Sequence, residues 1–330
     1  MTRPMHESTG NAPAADPGLR SDPRVATLAA EGASPRARPG VTLGEAIDAP
    51  RSDLVVEEGW RVAYYADRSA TGRPLVLVHS INAAPSSFEV KPLFEHYRGR
   101  RPVYSLDLPG FGHSERRPQG YTPELFAKVL SDFLERVVEQ PADVIALSLG
   151  AELIARAIGS SPGSANSLVL IAPTGFSRRV PPAPGMGRIA HRVLTVPVLS
   201  QALFDLVASR RSIRYYLGRS FVAEPPQELL DYAYATSHQP GARHAPLVFL
   251  SMQLFTPDAI GDLYSRLTDL PVLVIADRDP YIDFDRLDGF VARHPNWSRS
   301  RVAPNLGLPH WERLAETAAV LDAFWMEAGD

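Results

Sequence analysis

From Pro74 onward the chain alternates short, unbroken apolar runs with longer stretches in which apolar residues recur at helical spacing. PLVLVHS (Pro74–Ser80), RPVYSLD (Arg101–Asp107), ADVIALS (Ala142–Ser148), SLVLIAP (Ser167–Pro173) and PVLVIAD (Pro271–Asp277) are such runs, and SRSRVA (Ser298–Ala303) is a last, more polar one. Continuous Val/Ile/Leu strings predict strands buried on both faces. Helices are predicted between them, over Ser87–Tyr97, Thr122–Val138, Leu149–Ile158, Asp283–Ala292 and from about Trp311 to Glu327. Thr122-Pro123-Glu124 has the cap-then-proline form of a helix start. LVVEE and WRVAYYAD, separated by Gly59, predict an opening strand pair. The class is α/β: a mostly parallel sheet with helices on both faces.

Two segments break this rhythm. Residues 1–50 are rich in Ala, Pro and Gly without a sustained apolar period, so a disordered tail is expected. An ordered arm around Val41–Ile47 is the alternative. Residues 174–267 carry helical patterns rich in Leu, Tyr and Phe, and only Pro246–Leu250 could be a buried strand there. The expected organisation is a core of residues 51–173 and 268–330 interrupted by a helical insertion at 174–267.

Composition narrows the chemistry. The chain has 330 residues and no cysteine. That excludes a disulfide scaffold, a thiolate metal site and a cysteine nucleophile. Proline, at 31 residues, is nearly twice the usual ~5% and signals many loop boundaries. The net charge is −3, and no basic stripe interleaves with aromatics, so no nucleic-acid partner is expected. Neither an N-terminal apolar leader nor an apolar run of about 18 residues occurs. No stable membrane insertion is expected, and the expected location is cytoplasmic. Nucleotide-binding glycine strings and clustered metal-ligand spacings are missing, so the expected cofactor and metal content is none. The expected partner is a small-molecule substrate; oligomeric state is not readable.

Ala146-Leu147-Ser148-Leu149-Gly150 places a serine between a buried strand and a helix. Small residues two positions to either side permit the sharp strand-to-helix turn that projects a nucleophilic hydroxyl. At that turn the N–H of Leu149 can face a developing oxyanion. A second donor is expected from His79-Ser80-Ile81-Asn82, with Ile81 better placed than Asn82, while His79 reads as a structural residue that fixes the loop. Asp277, Asp279, Asp283 and Asp285 follow a later strand, and His310 precedes the last helix. Ser, then Asp, then His is the chain order that a triad on such a sheet requires.

These strings resemble the α/β-hydrolase superfamily, in its cap-bearing esterase, lipase and epoxide-hydrolase-like branch. The resemblance covers about residues 52–327. It rests on PLVLVHSINAAPSSFEVKPLF, VYSLDLPGFGHSERR, VIALSLGAELIARA, PVLVIADRDP and PHWERLAETAAVLDAFW. It implies an eight-stranded sheet, Ser148 as nucleophile, Asp279 as acid, His310 as base, the N–H groups of Ile81 and Leu149 as oxyanion hole, and the insertion as a cap over the site. Ala146, Ser80, Ala276 and Pro309 stand where the family commonly has glycine. A serine nucleophile disfavours epoxide and carbon–halogen hydrolysis, which in similar scaffolds use aspartate.

The expected activity is hydrolysis of a small or medium, apolar carboxylic ester through an acyl-enzyme. Thioesters, lactones and C–C bonds beside a ketone are alternatives, as are a perhydrolase or cofactor-free oxygenase and a non-catalytic ligand-binding member of the fold. Candidate pocket residues are Asn82, Arg178, Phe204, Tyr215, Tyr216 and Phe221, with Arg179 beside Arg178; apolar residues at helical spacing could equally form the insertion's own core.

Overall fold

A computed structural model describes residues 41–178, 187 and 197–328. Eight strands make one sheet in the order β1-β2-β4-β3-β5-β6-β7-β8. They are β1 (Arg51–Val55), β2 (Arg61–Asp67), β3 (Leu75–Val78), β4 (Val103–Leu106), β5 (Ala142–Leu147), β6 (Ala165–Ile171), β7 (Val272–Ile275) and β8 (Trp297–Ser300). β2 is antiparallel to both β1 and β4, and every other pairing is parallel. β3, β4, β5 and β7 are buried at every position, which is why they read as unbroken apolar runs. The edge strand β8 buries only Trp297, in keeping with its polar sequence.

Alternate residues of each strand serve opposite faces. Val76, Val78, Val144 and Ala146 join one apolar cluster, and Leu75, Leu77, Ile145 and Leu147 join the other. Helices α1 (Lys91–Tyr97), α2 (Pro123–Phe133) and α3 (Gly150–Ser160) follow strands β3, β4 and β5. Thr122 caps α2 by accepting the N–H of Leu125 at 3.2 Å, with Pro123 at the first helical position. The predicted helix over Thr122–Val138 ends in a wider π turn over Leu134–Val138, closed by Glu139 in the left-handed region.

Between β6 and β7 the described chain is helical: α4 (Pro197–Val207), α5 (Arg210–Arg219), α6 (Gln227–Ser237), α7 (His244–Leu250) and α8 (Ala259–Asp262). Pro246–Leu250 lies inside α7, so it is not a strand. Its proline sits in the first helical turn, where no intrahelical N–H is needed. After β7 come α9 (Leu287–Val291), α10 (Pro309–Glu312) and α11 (Leu314–Ala328). The single terminal helix expected from Trp311 is therefore two, divided at Arg313, whose φ of −140° leaves the helical range.

The expected tail at residues 1–50 needs correction at its C-terminal end; residues 1–40, and Arg179, lie outside the described residues. The arm alternative is what forms. Ala46 and Ile47 are buried, and the Ala46 N–H donates to the Tyr65 hydroxyl at 3.0 Å. Tyr232 of α6 donates to the Gly44 carbonyl at 3.0 Å. Two small apolar side chains and a few hydrogen bonds suffice to seat a segment that has no periodicity to reveal it.

Candidate active site

Ser148 stands at the C-terminal end of β5, directly before α3. Its φ is +51°, a left-handed conformation that costs a non-glycine residue about 1–2 kcal/mol. The turn is held by the Ser148 N–H, which donates to the Ile171 carbonyl of β6 at 3.0 Å. Gly150 makes the tight approach possible, since a Cβ there would stand 2.6 Å from the His79 carbonyl oxygen. A half-buried serine on a strained strand-to-helix turn is the geometry of an exposed nucleophile. Leu149 takes the N-cap position of α3, and its N–H is engaged by no backbone acceptor among the described residues.

The loop after β3 is tied down from several sides. His79 is fully buried, and its Nε2 accepts the Leu108 N–H at 2.9 Å. Its Nδ1–H therefore donates to the Ser80 carbonyl at 2.6 Å, which fixes a neutral tautomer, and burial lowers its pKa. The structural reading of His79 fits these contacts. Asn82 is held within the loop. Its Nδ2 group donates to Ser80 Oγ at 2.8 Å and to Glu89 Oε1 at 2.7 Å. Its Oδ1 accepts the Ala84 N–H at 2.8 Å. The amide thus engages both its polar ends within its own loop and Glu89. Glu89, in the 3-10 turn Ser87–Val90, was not singled out from sequence because nothing there marks a lone glutamate beside two serines.

The acid and base positions divide. Asp277 pairs with Arg301; burial pushes its carboxyl up, but Arg301 and the Asn305 N–H bring it below the usual range. Asp279 has no cation within 4 Å among the described residues. Its Oδ1 accepts the N–H groups of Tyr281 and Ile282 at 2.7 and 2.9 Å. Burial dominates and pushes its pKa up to about 6. Gly307 stands against its other oxygen: a Cβ at Gly307 would lie 2.4 Å from Asp279 Oδ2.

The hydrogen bonding of His310 is not that of a triad base. The ring is fully buried within α10, and Nε2–H donates to the Glu89 carbonyl at 2.8 Å. Nδ1 has no hydrogen-bond partner among the described residues. The neighbouring Trp311 donates to the same carbonyl at 2.8 Å. His310 consequently hydrogen-bonds neither Ser148 nor Asp279. Burial pushes its pKa down to about 4, against a smaller upward effect of the Glu89 carbonyl. The structure brings Ser148 to the expected turn and leaves Asp279 without a cation among the described residues, but turns the expected base toward the 3-10 turn.

The pocket candidates also separate. Phe204 packs with Ala208 and Ala242 inside the insertion, and Phe221 belongs to a core cluster. Tyr215 and Tyr216 are 58% and 51% exposed, and Arg178 is exposed. The side chains proposed to line one pocket are thus core on one hand and surface on the other. Two surface cavities of about 470 Å³ lie elsewhere, one beside Arg116 and Gln239 and one beside Glu312 and Val222; Ser148 lines neither. Among the described residues there is no cluster of three metal-ligating side chains. No helix among them is long and apolar enough to cross a membrane.

A doubly covered, mostly parallel sheet with a strained serine at the end of β5 defines an α/β protein of the nucleophile-elbow class. Comparison with known proteins makes this specific. The profile of the alpha/beta hydrolase family matches residues 75–320, and the chain belongs to that family. A Bacillus subtilis (strain 168) protein described as the uncharacterized hydrolase YugF is 32% identical over 122 residues, which is 36% of this chain and 44% of that protein. The chain thus spans less than half the length of this curated relative. A probable hydrolytic enzyme from Pseudomonas aeruginosa PAO1 superposes with a TM-score of 0.70 at 19% identity, covering 86% of this chain and 97% of the other. A thermophilic esterase from Thermogutta terrifontis gives 0.66 at 17% identity, covering 85% and 99%. At such identities the likeness concerns the fold.

Proposed function

We propose that this chain is a hydrolase in which Ser148 attacks a small or medium, apolar carboxylic ester. The observation that carries the reading is the left-handed turn at Ser148 (φ +51°) against Gly150, since such strain persists only where surrounding structure maintains it. The N–H groups of Leu149 and Ile81 would stabilise the tetrahedral oxygen, and water would release the acyl group. Asp279 is the acid, because Asp277 is occupied by Arg301. For His310 to act as base it must leave the Glu89 carbonyl and shift its ring proton from Nε2 to Nδ1; Nδ1, which has no partner among the described residues, would then donate to Asp279, and the bare Nε2 would take the Ser148 proton. The helical insertion is proposed as the cap over the site.

A second reading, a ligand-binding member of the fold, is favoured by one observation: His310 is fixed to Glu89 and not to Ser148. Fluorophosphonate labelling combined with p-nitrophenyl esters of graded acyl length decides between them. Labelling and turnover, both lost in Ser148→Ala, support the hydrolase. A folded wild-type protein that neither labels nor turns over any of these esters supports the ligand-binding reading.

A further inference from the structure

Glu89 is a buried carboxylate with no cation within 4 Å among the described residues. Burying a carboxylate is unfavourable unless hydrogen bonds offset the lost hydration. Three donors face it, and all come from one tripeptide. The Ser80 N–H donates to Oε2 at 3.0 Å. The Ser80 hydroxyl and the Asn82 amide donate to Oε1 at 3.1 and 2.7 Å. Ile81, the residue between them, is itself buried, and the carboxylate holds its neighbours on either side, Ser80 through backbone and hydroxyl and Asn82 through its side chain. The opposite end of the same residue is also fixed, because its carbonyl accepts from His310 and Trp311, each at 2.8 Å. Ser86 caps the turn that carries it.

We infer that Glu89 is the positioning residue of the oxyanion loop: its carboxylate holds Ser80 and Asn82 so that the Ile81 N–H is fixed in place before any substrate binds. The inference rests on the Ser148 reading for its catalytic consequence, but not for its structural one. Donor placement is what such a site contributes to rate, because a pre-fixed N–H needs no reorganisation when charge develops. Ser80 fits the same scheme: its hydroxyl donates to Glu89 while accepting from Asn82, links a glycine there could not make. Glutamine cannot replace Glu89, since either orientation of its amide turns an NH₂ toward one of the loop's donors.

The test uses the full chain with Glu89→Gln, Glu89→Ala and Asn82→Ala. The last alters only a half-buried side chain and guards against loss of folding. Amide hydrogen–deuterium exchange of peptides spanning residues 79–84 is read beside fluorophosphonate labelling and ester kinetics. Glu89→Gln and Glu89→Ala should speed exchange in that segment on the order of ten-fold or more. They should slow labelling and lower kcat by on the order of 10- to 100-fold with KM little changed. Asn82→Ala should move all three in the same direction by less. A merely structural role would leave labelling and kcat of the folded variants at wild-type values, and unchanged exchange would overturn the inference outright. If wild-type protein neither labels nor turns over, the Ser148 reading fails, while the exchange data still decide whether Glu89 holds the loop.

Discussion

The imidazole of His310 donates its Nε2–H to the carbonyl of Glu89, 2.8 Å away, and so faces the 3-10 turn after β3 and not the serine at the end of β5. That contact has a consequence in acid. A histidine with a folded pKa near 4, against about 6.5 when unfolded, stays neutral in the folded state while the unfolded chain takes up a proton. Stability from this group is complete above about pH 6.5 and is lost as pH falls toward 4; the gap corresponds to about 3 kcal/mol. Urea unfolding from pH 7 to 4 should show this loss in wild type and not in His310→Gln. A His310 imidazole titrating near 7 in the NMR spectrum of the free protein would instead show that the ring is not held buried against the Glu89 carbonyl.

Ser148 bears backbone strain and is the proposed nucleophile, and two substitutions separate the two. Alanine keeps the left-handed strain at φ +51°, whereas glycine relieves it. Both variants should be inactive, but Ser148→Gly should be more stable than Ser148→Ala by about 1 kcal/mol. Equal midpoints in denaturant would show that the turn is unstrained.

The sheet was legible because burial on both faces leaves a clear trace: the strands from β3 to β7 are mostly apolar, with only a few polar residues such as Asp143 and Ser167 among them. Ser148 was legible for a related reason, since the turn demands small neighbours and Gly150 provides one. His310 was not. Chain order locates a histidine before a helix, but whether the ring points to a serine or to a backbone carbonyl depends on one turn of α10 and on what Glu89 leaves open. The aromatics of the insertion were ambiguous likewise: helical spacing says that a face is apolar without saying what covers it, and Phe204 proved to be core while Tyr215 is surface.

Gly150→Ala tests the close approach of α3 to β3. The added Cβ would meet a backbone oxygen, that of His79, at 2.6 Å, and backbone cannot rotate away as a side chain can. A cost of about 1–3 kcal/mol is expected, together with slower labelling of Ser148, because the turn that presents the hydroxyl must shift. Thermal unfolding and labelling rates check both, and a variant matching wild type in each would show that helix and strand have room to separate.

Asp279→Asn separates the charge of the acid position from its shape. The amide oxygen can still accept the N–H groups of Tyr281 and Ile282, which in wild type both meet Oδ1. Burial raises the folded pKa to about 6, above the unfolded value of about 4. Ionisation therefore opposes folding: the stabilising neutral form is fully present below about pH 4, and its contribution is lost as pH rises through 6. Water reaches this loop, so the loss is about 1–2 kcal/mol, less than the pKa gap alone implies. Wild type should lose this amount between pH 4 and 8 relative to Asp279→Asn, the reverse of the His310 trend, and the two variants should agree at pH 4. Ester turnover by Asp279→Asn should fall by on the order of 10³–10⁴-fold if the carboxylate orients an imidazole during catalysis. Turnover at the wild-type rate would remove Asp279 from the mechanism while leaving its effect on stability intact.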